Sequence, residues 1–173
     1  MSQQTENTMR KISLEKVVLN MGVGKSGEPL ETARKGLEQI IDKKPNLRNA
    51  NKALRDWGVR KGEPIGVAVT VRGISANELL KKLLVSKDHK ISSRSFDSTG
   101  NFSFSIKEHI DIEGVNYDPK IGILALDIAV RLTRPGFNIK VRRQHKATIG
   151  KHHKITPAEA KDFVTKEFGV SVS

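Results

Sequence analysis

Between Phe102 and Leu132 the chain carries two strand-like runs separated by turn residues, with no helical pattern between them. Phe102, Phe104 and Ile106 alternate with polar residues, the period of a half-buried strand. Gly114 to Pro119 reads as a turn, and Gly122 to Leu132 as a further strand. Strands that follow one another without a crossover helix pair antiparallel, because a parallel return needs a long connection. The other segments fit that frame. Ile12 to Val23 is rich in β-branched residues and reads as a strand, and Ile65 to Arg72 as another. Leu30, Ala33, Leu37, Ile40 and Ile41 recur at helical spacing, with Pro29 in the first turn and Pro45 beyond the end. Residues 46–57 fit helix or strand, and residues 86–101 read as a loop. Ser75 and Glu78 have capping-box spacing ahead of Leu79, Leu80, Leu83 and Leu84. Thr156 and Glu159 repeat that spacing around Pro157, ahead of a helix carrying Ala160, Phe163, Val164 and Phe168 that Gly169 ends. The expectation is an α+β fold with a largely antiparallel sheet. Residues 1–10 are expected to be a flexible tail, and residues 11–173 a single domain with a basic loop extension around 134–154.

Charge narrows the partner. The 173 residues carry 31 Lys and Arg against 19 Asp and Glu, a formal net charge of +12, and no Cys. Without cysteine there is no disulfide framework, thiolate metal site or Cys nucleophile. No apolar run is long enough to cross a membrane, and the polar start does not resemble a signal peptide. A cytoplasmic protein with an anionic partner is expected, nucleic acid ahead of a membrane surface. The excess lies in two blocks. Lys43, Lys44, Arg48, Lys52, Arg55, Arg60, Lys61 and Arg72 share their segment with two acids, Asp56 and Glu63. Arg131, Arg134, Lys140, Arg142, Arg143, Lys146, Lys151 and Lys154 lie in a stretch from Ile128 to Ala158 with no acid at all. A solvated face mixes signs, so these blocks are candidates for meeting phosphates, with Arg72, Arg134, Arg142, Arg143, Lys146 and Lys151 prominent among them. The block from Arg134 to Lys154 lacks apolar periodicity and repels itself, so it should be mobile free in solution.

Competing chemistries are weaker. Gly22 to Gly27 spell G-x-G-x-x-G between a strand and a helix, the turn that lets a pyrophosphate approach a helix N-terminus. A dinucleotide site also needs a parallel strand ending in an acid about 20 residues on, and the chain there is the basic KKPNLRN. Phe102 and Phe104 could stack on bases, but core packing suits them better. His109 and Asp111 would share a strand face, read as a surface pair without a nucleophile. His145, His152 and His153 lack zinc-like spacing and sit among cations, so neither a metal nor any cofactor is expected. A DNA-binding basic protein is a further alternative.

Three ordered blocks, MRKISLEKVVLNMGVGKSG, KKPNLRNANKALRDWGVRKGEPIGVAVTVRG and FDSTGNFSFSIKEHIDIEGVNYDP, together resemble the large-subunit ribosomal protein five family. The resemblance runs from about Met9 to the C-terminus. RPGFNIKVRRQHKATIGKHHKITPAEA is similar to the archaeal and eukaryotic branch, and Trp57 stands where Phe is expected. The resemblance implies a two-layer fold, with helices on one face of the sheet, and a structural, non-enzymatic role on the ribosome. Its implied partners are 5S rRNA, large-subunit rRNA, P-site tRNA and a small-subunit protein reached across a bridge. It assigns Asn20, Met21, Gly22, Gly24, Lys43, Pro45, Arg48, Asn49 and Lys52 to the 5S RNA surface. Arg60, Lys61 and Gly62 would lie near tRNA, and Asn116, Tyr117, Asp118 and Pro119 would form the bridge.

Overall fold

A computed structural model describes residues 7–41, 43–115, 119 and 122–172. Five strands form one sheet: β1 (Ser13–Gly22), β2 (Asn46–Asn49), β3 (Pro64–Arg72), β5 (Phe102–Ile106) and β6 (Leu126–Thr133), in the order β2-β3-β1-β6-β5. Every adjacent pair in it is antiparallel. A separate parallel pair joins β4 (Lys90–Ile91) to β7 (Ser171–Val172). The helices are α1 (Glu28–Ile40), α2 (Ile74–Val85), the short α3 (Asn138–Val141) and α4 (Pro157–Phe168).

Side chains alternate across a strand, so the sheet has two chemically different faces. One carries Val17, Leu19, Met21, Val67, Val69, Val71, Phe102, Phe104, Leu126, Ile128 and Val130, all buried. Helices α1 and α2 seal this face with Leu30, Ala33, Leu37, Ala76, Leu80, Leu83 and Leu84. Ala160 and Val164 of α4 join the same core. Each fully buried Leu contributes about 1.5–3 kcal/mol relative to an exposed one, so this layer dominates stability. The α+β, two-layer expectation holds.

Several local expectations are refined. The Thr156–Glu159 capping box forms in both directions, with Pro157 in the first turn and Gly169 closing the helix at φ 64°. The Ser75–Glu78 box does not form. Gly73, at φ 73°, turns directly out of β3 and caps α2 itself, so Ser75 already lies inside the helix. The supposed loop 86–101 contains β4 and a 3-10 turn at Ser93–Ser95, because β4 is stabilised by pairing with the distant β7. Strand β6 begins at Leu126, later than Gly122. Thr8–Arg10 forms a 3-10 turn capped by the Asn7 side chain, inside the segment expected to be a tail.

His109 requires a full correction. It lies in a 3-10 turn at His109–Asp111, not on a strand, and it is completely buried, so it is no surface partner of Asp111. Its Nδ1 accepts from the Leu124 N–H at 3.3 Å, and its backbone N–H donates to the Leu124 carbonyl at 3.1 Å. Burial pushes its pKa down from 6.5, because desolvation disfavours the charged ring.

Candidate nucleic-acid interface

The second face of the sheet is the one turned away from the core residues of α1 and α2. Its rows follow from the register. Lys16 lies opposite Arg72 and Arg131; Val18 opposite Thr70 and Ala129; Asn20 opposite Ala68 and Asp127; Gly22 opposite Gly66. At one edge Asn46 faces Ala68 and Arg48 faces Gly66, while at the other Ser103 and Ser105 face Ala129 and Asp127. The result is a shallow polar surface of small residues bounded by Lys16, Arg48, Arg72 and Asn46. Gly22 and Ala129 are exposed and lack bulky side chains, so a backbone or sugar can approach closely there, whereas Gly66 and Ala68 are covered by their neighbours. Gly66 fits closely there: a Cβ would sit 3.0 Å from the Met21 carbonyl oxygen.

The glycine turn between β1 and α1 is not a dinucleotide site. Both sheet neighbours of β1 are antiparallel to it, and β2, the strand after α1, lies at the sheet edge with β3 between it and β1, so no parallel strand adjoins β1. The parallel β-α-β unit that places a pyrophosphate is therefore missing. Instead, the Val23 and Gly24 N–H groups donate to the Ile65 carbonyl at 3.0 and 2.9 Å. The Ser26 hydroxyl donates to Glu63, which also accepts from the Arg60 N–H at 3.0 Å. The Ser26 hydroxyl, followed by the Arg60 amide, holds the Glu63 carboxyl below its usual range. One acid thus joins the glycine turn to the loop carrying Arg60, Lys61 and Gly62.

That loop is the base of an arm. Residues 50–63 fold back on themselves: Ala50 and Leu54 donate to the Glu63 and Val59 carbonyls at 2.8 and 2.9 Å, and Gly62 donates to Ala50 at 2.8 Å. At the tip a 3-10 turn, Arg55–Trp57, closes on Gly58 at φ 66°. Trp57 is 75% exposed beside Leu54 and the arm's cations. Sequence reasoning passes over Trp57 as a variant of Phe. An indole among Arg55, Arg60 and Lys61 in an aromatic-poor chain is the available signal. Lys16 is missed as well, although its two-residue spacing from Val18 and Asn20 places it on the same strand face.

The candidate residues divide accordingly. Asn20, Gly22, Arg48 and Arg72 share the open face, with Lys43, Asn49 and Lys52 exposed near its β2 edge and Gly24 in the adjoining turn. Met21 and Pro45 are buried, so neither offers a side chain to a partner, and only the backbone at Met21 borders the surface. Phe102 and Phe104 face the core with ring centroids 6.4 Å apart, which removes them as stacking platforms. Asn116, Tyr117 and Asp118 lie outside the described residues, and Pro119 is exposed.

The acid-free stretch forms a second surface, with one correction. Arg134 is 5% exposed and cannot reach a phosphate. It donates to Glu159 at 2.8 Å and to the His153 and Lys154 carbonyls at 3.5 and 3.3 Å. The Thr156 N–H, and then Arg134, hold the Glu159 carboxyl below its usual range. A His153 ring nitrogen sits 2.9 Å from the Pro135 carbonyl oxygen, and its ring meets Phe137 edge-on at 5.6 Å. The two ends of the extension are thereby tied together. Arg142, Arg143, Lys146 and Lys151 remain exposed beyond this neck. Among the described residues no His, Asp or Glu cluster could hold a metal, and no helix is long and apolar enough to cross a membrane.

Comparison with known proteins agrees with this geometry. Residues 7–60 match the family model described as ribosomal protein L5, and residues 64–170 match the model for the C-terminus of the same ribosomal family. The chain is 63% identical over 173 residues to large ribosomal subunit protein uL5 of Nitrosopumilus maritimus, covering 100% of both chains. It is 57% identical over 164 residues to the Cenarchaeum symbiosum protein of the same name, covering 95% and 97%. The Sulfurisphaera tokodaii counterpart is 47% identical over 170 residues, covering 98% and 96%. A two-faced antiparallel sheet, full-length matches to archaeal relatives and both halves of the family pattern lead to one conclusion: this chain belongs to the ribosomal protein L5 family, in its archaeal form.

Proposed function

We propose that this protein is a non-enzymatic component of the cytoplasmic large ribosomal subunit that binds 5S rRNA through the open face of its sheet and the adjoining glycine turn. The observation that carries the reading is the division of the sheet. One face is sealed by helices, and the other is small, polar and bordered by Lys16, Arg48 and Arg72. Folded RNA is recognised largely through phosphates, 2′-hydroxyls and shape, and such a surface offers cations, Asn amides and close backbone approach. The extension beyond the Arg134 neck adds large-subunit rRNA as a second contact. The 50–63 arm, with Trp57 at its tip and Arg60, Lys61 and Gly62 at its base, is the element that would approach P-site tRNA. The segment around Pro119 is assigned to a bridge with a small-subunit protein by family resemblance alone.

The test is to capture the tagged full chain from archaeal cell extract and sequence the RNA that comes with it. Enrichment of 5S rRNA is expected, and it should fall when Arg48 and Arg72 are replaced by Ala. Enrichment of bulk RNA without preference, or of DNA, would overturn the proposal.

A further inference from the structure

The basic extension packs back on the sheet and encloses a cavity of about 600 Å³, inside the roughly 300–1,000 Å³ range of small-ligand sites. Its floor is apolar, with Leu132 and Ile155 from the core and Phe137 and Ile149 from the extension, and the exposed Val141 stands at its edge. Its rim is cationic, with Arg131, Lys140, Lys146 and Lys154, and among the described residues no carboxylate lines it. Arg131 is occupied by Glu15 at 2.9 Å, whereas the ion pairs found among the described residues use none of the three lysines. Asn101 and Thr148 add hydrogen-bonding groups to the wall. Asn101 is fixed in place, since its Oδ1 accepts from the Leu132 N–H at 3.3 Å and its Nδ2 donates to Thr99 at 2.8 Å.

Two contacts join the walls. The Arg134–Glu159 pair fixes the neck, and the Ala147 N–H donates to the Ile139 carbonyl at 3.1 Å, joining the returning chain to α3. A pocket with an aromatic and aliphatic floor, lysines at the lip and polar groups on one wall calls for a ligand that is flat and apolar at one end and anionic at the other. An unpaired nucleotide has that division within a single unit. A stacked duplex does not, because its bases are hidden. We infer that this cavity takes a single nucleotide turned out of an RNA helix, its base against Phe137 and Val141 and its phosphates between Lys140, Lys146 and Lys154. The inference rests on the RNA-binding reading above and adds a base-capturing mode at a different surface from the open sheet face.

The experiment uses the full chain and two RNA hairpins of identical stem, one with a single bulged 2-aminopurine and one without. The expected result is binding at least about tenfold tighter for the bulged hairpin, with a change in 2-aminopurine fluorescence, since stacking a base on an aromatic side chain is worth about that much or more. Val141→Asp, at a position 63% exposed and so harmless to folding, should abolish this preference while retaining most binding of the plain hairpin. Equal binding of the two hairpins without a fluorescence change would overturn the pocket and leave the RNA-binding reading standing. A preference that survives Val141→Asp would place the base elsewhere and overturn the pocket too. Failure of both hairpins to bind would overturn both readings. Displacement of the bulged base by an acidic octapeptide carrying one Phe, stronger than by the plain hairpin, would overturn it in favour of a protein partner.

Discussion

Replacing Arg48 and Arg72 together by Ala removes cations from opposite ends of the open face without touching the core, since both side chains are exposed. Neither takes part in the ion pairs found among the described residues. Each phosphate neutralised contributes about 0.7–0.9 to the slope of log affinity against log salt, so losing two lowers that slope by about 1.4–1.8. At about 0.1 M salt, one decade below a 1 M reference, the same numbers are decades of affinity, a loss of about 25- to 60-fold. The assay is filter binding of 5S rRNA from about 0.05 to about 0.5 M KCl, the span over which such slopes are read. Lys81→Ala with Lys82→Ala is the control, because these lysines are exposed on α2, which covers the other face. An unchanged slope for the Arg pair, or an equal loss for the α2 pair, would refute the assignment of RNA to the open face.

Three further outcomes follow from the packing. Glu159→Gln should cost more than Arg134→Met, because it leaves the guanidinium, 5% exposed, without its counter-charge. About 2–3 kcal/mol against about 1 kcal/mol is expected in urea denaturation, below the full cost of a broken buried pair because the Glu159 side chain is 42% exposed. Burial depresses the pKa of His109, so its contribution to stability is present above the unfolded value of 6.5 and lost as pH falls toward the lowered folded value. His109→Gln should flatten that dependence in thermal melts, and an identical pH profile would exclude His109 as the cause. Gly100→Ala places a Cβ 2.5 Å from the Ile155 side chain at a φ of 78°, and should destabilise by about 2 kcal/mol, readable as a melting-temperature drop of about 4–8 °C.

The sheet strands were legible because their apolar residues alternate: Val17, Leu19 and Met21, or Phe102, Phe104 and Ile106, leave only one face for the core. The α4 capping box was equally plain, since its signal is contained in four consecutive positions. The Ser75 box failed because Gly73 offered a tighter exit from β3, a choice that the Ser75–Glu78 spacing alone does not reveal. β4 and β7 have two residues each and depend on pairing across a long stretch of chain, so no local period marks them. Among the candidate site residues, charge picked out Arg48, Arg72 and Arg134 alike. All three lie in basic segments. Only the fold shows that Arg134 is directed inward onto Glu159, the first acid after its acid-free stretch.

Glu63 has a mechanical consequence. It receives Ser26 from the glycine turn and Arg60 from the arm, so two surface loops far apart in the chain share one anchoring carboxylate. Removing that carboxylate would therefore loosen the base of the arm and the turn bordering the open face together.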